Sequence, residues 1–336
     1  MSQKMLTDFI GFTSEAKARS SKNFLYNCQT GEAKFVDSYT QGYSFVRTAD
    51  CLRLWCKSEQ IHNKDCLIYE QSIQSIVPLL KSHLQKAIRR QNMFSALSTA
   101  YSMILYDRSA LLRRLPIIAI EDVELIPGTA IIVWLMMAGE SYKWSEQDIR
   151  HVLGYVRQLC QTSSYLVNAS SKVSISHNLL SSLDDPEKHE LLALFYRIKW
   201  GGTDGDMKML NDAIQTYYVK GLKISAIHKI YKGPFPQHLK LTEDNPKFIW
   251  DAIDFHCFPK MLKRISNKTY VPNHRIKELI WNCHSALNFR KTLVMSRAEE
   301  MRKTHDYGRI KDCIKQVRSG LFEELLNETL CIIENE

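Results

Sequence analysis

The chain has 336 residues, 45 Lys and Arg against 36 Asp and Glu, a formal charge of +9 and an apolar fraction of 45%. Leu, Ile, Val, Phe and Tyr are spread along the whole length, which excludes disorder throughout and places the chain among ordinary globular proteins of one or two domains. The longest apolar run, Ala130–Ala138, is too short to cross a bilayer, and the N-terminus lacks the pattern of a secretory leader. We therefore expect no membrane partner and an intracellular location, nucleus or cytoplasm, where the nine Cys stay reduced. The surplus of positive charge suits an acidic partner, nucleic acid first.

In chain order, residues 1–12 form a short apolar cluster and residues 13–23 (TSEAKARSSKN) a polar connector, together a peptide on a tether. Residues 24–48 are rich in Tyr, Phe, Val and Thr with a Thr-Gly turn at 30–31, which predicts a small hairpin or irregular cap. From about 49 to 167 the pattern is helical. Asp50 is expected to cap a helix carrying Leu52, Trp55 and Cys56, and Ile73, Ile76, Val77, Leu80, Leu84, Ala87 and Ile88 recur at three- and four-residue steps. Asn92, Asp107 and Ile126-Pro127-Gly128 mark breaks between helices. Residues 184–232 continue as helices, interrupted by the turn GGTDGD at 201–206. Prolines at 234, 236 and 246 mark a boundary, after which 248–336 is again helical, with Ile276, Leu279, Ile280, Cys283 and Leu287 on one stripe.

The fold class expected is thus mainly α, a multi-helix bundle or collar-like helical array with a small irregular or β N-terminal segment. The linear organisation expected is a peptide and tether over 1–23, a helical domain over 24–232 and a basic helical domain over 248–336.

No phosphate-cradling GxxxxGK[ST], GxSxG, HExxH or kinase signature occurs. Four groups of residues remain as candidates for chemistry. The first is Gln3, Leu6, Phe9 and Ile10: one tight helical turn places Leu6, Phe9 and Ile10 on one side as a plug for an apolar pocket, with the Gln3 amide beside it. This resembles the PCNA-interacting peptide of replication and repair proteins, with Ile10 in place of the usual second aromatic, and the resemblance implies a sliding clamp as partner. The bland alternative docks the same residues on the protein's own core.

The second group, in 79–127, sets Lys86, Arg89, Arg90, Arg113 and Arg114 among apolar stripes, with His83 nearby. Arginine forks at helix ends suit phosphate, while pairing of Arg113 and Arg114 with Glu121 and Asp122 is the competing reading. The order of His83, Lys86, Arg89, Ala96, Arg113, Arg114, Glu121, Asp122 and Pro127 resembles the helical region that follows the ATPase core in the RarA/MgsA family of clamp-loader-related proteins. The match covers about 50 of 336 residues and no ATPase core accompanies it. The resemblance implies a collar-like, oligomerising or DNA-proximal helical region without ATP hydrolysis, and hence a homo-oligomer as one expected assembly.

The third group is Cys51, Cys56, His62 and Cys66, four zinc-type ligands within 16 residues at a spacing unlike the standard knuckles. No other cofactor is expected. The fourth is the C-terminal basic stretch, with Lys263, Arg264, Arg275 and Arg290 interleaved with Phe258, Tyr270, Trp281 and Phe289, a pattern suited to phosphate contact and base stacking. Asp251, Asp254, His256, Cys257, His274, Cys283 and His284 in the same region define a rival reading, a metal-dependent enzyme acting on nucleic acid. The leading reading is a DNA replication or repair accessory factor that binds a clamp through its N-terminal peptide and DNA through basic helices. A protein-binding helical scaffold is the third.

Overall fold

The computed structural model describes residues 22–38, 40–57, 76–166, 186–220 and 227–333. These form four strands, β1 (Lys22–Asn27), β2 (Glu32–Val36), β3 (Ser44–Ala49) and β4 (Leu52–Lys57), and ten α-helices. The helices are α1 (Val77–Arg89), α2 (Met93–Asp122), α3 (Thr129–Ala138), α4 (Glu146–Gln161), α5 (Pro186–Lys199), α6 (Asp204–Lys220), α7 (Met261–Thr269), α8 (Asn273–Ile280), α9 (Thr292–Arg302) and α10 (His305–Ile333). The molecule is mainly α with a small β N-terminal segment, as the composition and periodicity predict.

The chain divides into two compact units that are discontinuous in sequence: Met1–Ile68, Leu112–Gln158 and Leu166–Lys232 in one, Tyr69–Leu111, Leu159–Tyr165 and Gly233–Glu336 in the other. The second begins its last segment at Gly233, where the prolines cluster. The collar-like stretch 79–127 is shared between the two, since α2 changes unit at Leu111 and Leu112.

In the first unit the sheet has the order β2-β1-β4-β3, with β1 and β4 parallel and the outer pairs antiparallel. Asn27 closes the β1–β2 hairpin, its Oδ1 accepting the N–H groups of Gln29 and Thr30 at 3.1 and 3.3 Å, an Asx turn of the kind a Thr-Gly corner invites. One expectation is corrected here. Residues 52–57 are strand, not helix: Leu52, Leu54 and Cys56 point inward while Arg53 and Lys57 are exposed, a two-residue period. The i, i+3, i+4 spacing of Leu52, Trp55 and Cys56 imitates a helical face over so short a run.

The apolar run is α3, buried on every side and packed against β1–β3 and α5. An all-apolar helix of this length is the centre of a core, and no helix among the described residues is long and apolar enough to cross a membrane. Trp134, fully buried, donates its indole N–H to the Phe24 carbonyl at 3.0 Å, tying α3 to β1. Glu190 on α5 caps α3, accepting the N–H groups of Gly128 and Ala130 at 2.9 and 2.6 Å, where the helix dipole favours a negative group.

Burial pushes the Glu190 carboxyl up to about 7, against these backbone donors, which favour its charged form. A carboxyl raised above its unfolded value stabilises the fold most when protonated, so its contribution is full below about pH 4.3 and lost as pH rises through about 7. Glu190→Gln is therefore expected to flatten the stability profile between pH 4.5 and 7 relative to the native chain, as chemical denaturation across that window would read.

Gly154 on α4 permits a close approach within the same unit. A Cβ at this position would stand 2.2 Å from the Lys229 carbonyl, and its absence lets residues 229–231 lie along α4, where Tyr231 N–H reaches the Arg150 carbonyl at 3.1 Å.

In the second unit α1 and the first half of α2 carry the predicted apolar stripes from Ile76 on, Ile73 lying outside the described residues, and both predicted breaks are side-chain caps. Asn92 Oδ1 accepts Ser95 N–H at 3.1 Å, and Asp107, at φ −156° and ψ 81°, accepts Ala110 N–H at 2.8 Å and restarts the helix after its kink. His83 is buried with both ring nitrogens used: Nε2 accepts Ile249 N–H at 2.7 Å, which makes Nδ1 the donor to Thr99 Oγ1 at 2.8 Å. Burial beside Lys86 and Arg90 holds its pKa down at about 3, so His83 stays neutral. Ile276, Leu279, Ile280 and Cys283 are fully buried and Leu287 nearly so, giving the predicted stripe of the C-terminal segment.

Candidate nucleic-acid interface

Most of the basic residues singled out in the sequence are held by the protein itself. Lys86 is buried and forms an ion pair with the fully buried Asp254 at 3.2 Å, with a second bond to Ser82 Oγ at 2.6 Å. Burial lowers the Lys86 pKa, opposed by Asp254, and the same pairing holds the Asp254 carboxyl down against its own burial. Asp254 also accepts Ser285 Oγ–H, His256 N–H at 2.8 Å and His256 Nδ1 at 2.9 Å. Arg89, buried, donates to the Ser285 carbonyl at 3.1 Å. Arg90 pairs with Asp251 at 2.7 Å and donates to the His284 carbonyl at 2.9 Å. Burial would raise the Asp251 carboxyl, but His284 and Arg90 more than offset this and hold it well below the usual carboxylate range.

Arg290 is the clearest departure from the expectation of phosphate contact. Its buried guanidinium donates to the carbonyls of Ile88 and Thr162 at 2.8 and 2.7 Å and to that of Leu159, so it closes the C-terminal ends of α1 and α4. A cation at two helix C-termini complements both dipoles and satisfies their last carbonyls, and a phosphate has no access to it.

Of the rest, Arg264 is bidentate to Glu324 at 2.7 and 3.0 Å, and Arg275 bridges Glu278 and Asp306 at 2.7 and 3.1 Å. In the other unit Arg114 stands 3.9 Å from both Glu121 and Asp206, so the pairing weighed for it is present in part. Arg113 is exposed, while its carbonyl accepts Arg197 Nε and Nη2 at 3.0 and 2.9 Å, next to the point where Pro116 deprives the helix of a donor. Lys263 is exposed on α7. The structure thus leaves Arg113 and Lys263 as the open cations of the nine and puts them in different units.

The metal candidates separate as well. Cys51 and Cys56 lie at opposite ends of β4, five residues apart in extended chain, a span of about 16 Å. Two thiolates that far apart do not close one tetrahedral zinc site, which corrects the four-ligand set. Cys51 sits 3.7 Å from Tyr196 OH and Cys56 3.6 Å from Tyr142 OH. His62 and Cys66 lie outside the described residues, as do Gln3, Leu6, Phe9 and Ile10. In the rival enzymatic site, Asp254 has its oxygens committed to Lys86, Ser285 and His256. Among the described residues no group of three or more His, Cys, Asp and Glu is arranged to hold a metal ion.

What the structure does gather at the surface is aromatic. Trp281 opens a π-helical turn, Trp281–Ser285, that follows α8 directly. It is 38% exposed. Arg89 lies over the ring at 5.7 Å, and since Arg89 is buried it covers the inner face. His256 meets Trp281 edge to face at 5.7 Å and Phe255 at 4.4 Å, and Lys277, one helical turn before Trp281, stands over Phe255 at 5.6 Å. Asp254 fixes the His256 ring through Nδ1, leaving Nε2 turned away from that bond. Phe289 and Tyr270 are also exposed, while Phe258 belongs to the core. The arrangement sets the exposed parts of Trp281 and His256 beside exposed Lys277, with exposed Lys260 and Lys263 following His256 in the chain.

Sequence reasoning named Trp281 only as one aromatic among basic residues and did not join it to Phe255 and His256. The available signal was phase: Lys277 and Trp281 are four residues apart and both fall off the apolar stripe of α8. No protein-family model, no curated protein and no solved structure matches this chain.

Proposed function

We propose that the protein is a non-catalytic, mainly helical accessory factor of DNA replication or repair, which reaches a sliding clamp through the peptide at Gln3, Leu6, Phe9 and Ile10 and holds DNA on its own basic surface. The observation that carries the DNA-binding part is the group of exposed His256, Trp281 and Lys277 around the half-buried Phe255, with exposed Lys260 and Lys263 following in the chain. Exposed cations interleaved with exposed aromatics suit a polyanion that carries flat rings. The charge of +9 favours the same partner. The resemblance of 79–127 to the RarA/MgsA helical region supports a setting at the replication fork. Arg89, Arg90, Lys86 and Arg290 enter this reading as the framework beneath the surface, and Arg113 as a separate cation on the other unit.

Lys263→Glu combined with Lys277→Glu is expected to weaken DNA binding at least tenfold at low salt, read by fluorescence anisotropy, with an unchanged thermal melt. Unaltered affinity in that variant would remove the DNA arm from this surface. Gln3→Ala with Phe9→Ala is expected to abolish binding in a calorimetric titration with the cognate clamp and to leave the melt untouched. Undiminished clamp affinity would remove that arm.

A further inference from the structure

We propose that Trp281, flanked by His256 with Phe255 against the far side of that ring, is a stacking site for an unpaired base of single-stranded nucleic acid. This rests on the DNA-binding reading above and narrows it to one strand form. The inner face of the indole is covered by the Arg89 guanidinium at 5.7 Å, itself fixed by its 3.1 Å bond to the Ser285 carbonyl. The ring is therefore held before any ligand arrives, and its outer part is exposed. His256 is likewise anchored, by Asp254 at 2.9 Å, and presents a second ring at 5.7 Å from the first. Rings ordered in advance bind without the entropy cost of immobilising them.

Charge decides the ligand class. Aromatic groups of this kind also hold quaternary or methylated ammonium ions, but here Arg89 stands behind Trp281 and Lys277 stands over Phe255. The carboxylate that holds His256, Asp254, is buried and already paired with Lys86 and His256. Such a site repels a cation and admits a flat, neutral ring attached to a negative charge. A base within a duplex keeps its faces in the stack, so the ring must be unpaired. Lys260 and Lys263 are exposed on the chain just after Phe255, and further cations along a strand's path would favour a strand over a free nucleotide.

The test uses the full chain and a labelled oligothymidylate of about 20 nucleotides, set against an abasic strand with the same number of phosphates and a duplex of the same length. The thymidylate strand is expected to bind more tightly than both at one salt concentration. Trp281→Ala is expected to reduce its affinity about 5- to 100-fold, the worth of one base–aromatic stack, without changing that of the abasic strand. Trp281→Phe, which keeps a ring, is expected to retain most of the difference. If Trp281→Ala binds the thymidylate strand as the native chain does while Lys263→Glu with Lys277→Glu loses it, the stacking site is wrong and the DNA-binding reading stands. Efficient competition by thymidine monophosphate would overturn the assignment to a strand, and absence of binding to every strand at low salt would overturn both.

Discussion

Asp254→Ala is expected to destabilise the protein by about 3–5 kcal/mol, the cost of leaving one partner of a buried ion pair without the other. Lys86 would remain buried with Ser82 as its neighbour, and Ser285 and His256 would each lose an acceptor. The variant should therefore show a depressed midpoint in urea with little change in slope. Lys86→Met with Asp254→Leu should recover much of the loss, because removing both charges also removes the uncompensated one. A stability close to that of the native chain in Asp254→Ala would show that the pair is not needed for the fold. The sign of the pH effect follows from the same contact. The Asp254 pKa is lowered in the fold by Lys86, Ser285 and His256, so its contribution is present above the unfolded value of about 3.9 and is lost as pH falls through the folded one.

The second large effect is expected at Asp148, fully buried at the start of α4. Its Oδ2 accepts Ser145 N–H and Oγ–H at 2.7 and 2.6 Å, while Ser145 Oγ accepts Asp148 N–H at 3.3 Å, a reciprocal capping box. Oδ1 accepts Tyr26 OH at 2.7 Å, and Tyr142 OH reaches Oδ2 at 3.1 Å. Burial raises the Asp148 pKa, opposed by these donors. Asp148→Ala keeps the Ser145 Oγ bond to the backbone N–H at 148 but removes the acceptor of Ser145 N–H and Oγ–H and strands the buried Tyr26 hydroxyl. Loss of the reciprocal half of the capping box costs about 1 kcal/mol and the unsatisfied buried hydroxyl about 1–3, so the total expected is about 2–4 kcal/mol by urea denaturation. Asp148→Asn, which keeps one acceptor oxygen for either Tyr26 or Ser145, should cost less than Asp148→Ala. Equal losses in the two variants would contradict this division of the effect.

These two sites show what a linear reading of the chain can and cannot reach. The helical stripes of α1, α2 and α8 and the breaks at Asn92 and Asp107 are legible because each depends on residues within one or two turns. The capping box is local in the same way: Ser145 and Asp148 stand three apart before an apolar stripe. β4 is not legible because six residues hold too few repeats to separate a period of two from one of 3.6. The roles of Lys86, Arg89 and Arg290 were out of reach for another reason. Each is decided by a group far along the chain: Asp254 for Lys86, the Ser285 carbonyl for Arg89, and the Leu159 and Thr162 carbonyls for Arg290. A basic residue on a helix reads the same whether it ends against phosphate or against a buried carbonyl, so periodicity and charge alone do not separate Lys86, Arg89 and Arg290 from cations that face outward.

The surface that remains follows from this sorting. Once Lys86, Arg89, Arg90 and Arg290 are engaged inside the second unit, the cations left facing outward there include Lys260, Lys263 and Lys277, of which Lys277 stands over Phe255 beside His256 and Trp281. The buried cations matter to that surface all the same. Arg89 backs Trp281, and the Lys86–Asp254 pair fixes His256, so a change in the framework is felt in the rings that face solvent.

The measurement that bears most directly on the account is the salt dependence of binding between the full chain and a single-stranded oligonucleotide, followed by fluorescence anisotropy. The account predicts that log affinity falls linearly with log salt, with a slope of about −0.7 for each phosphate neutralised, and that the slope shrinks in Lys263→Glu with Lys277→Glu. Absence of binding at low salt, or an affinity indifferent to salt, would contradict it and leave the positive charge without a nucleic-acid partner.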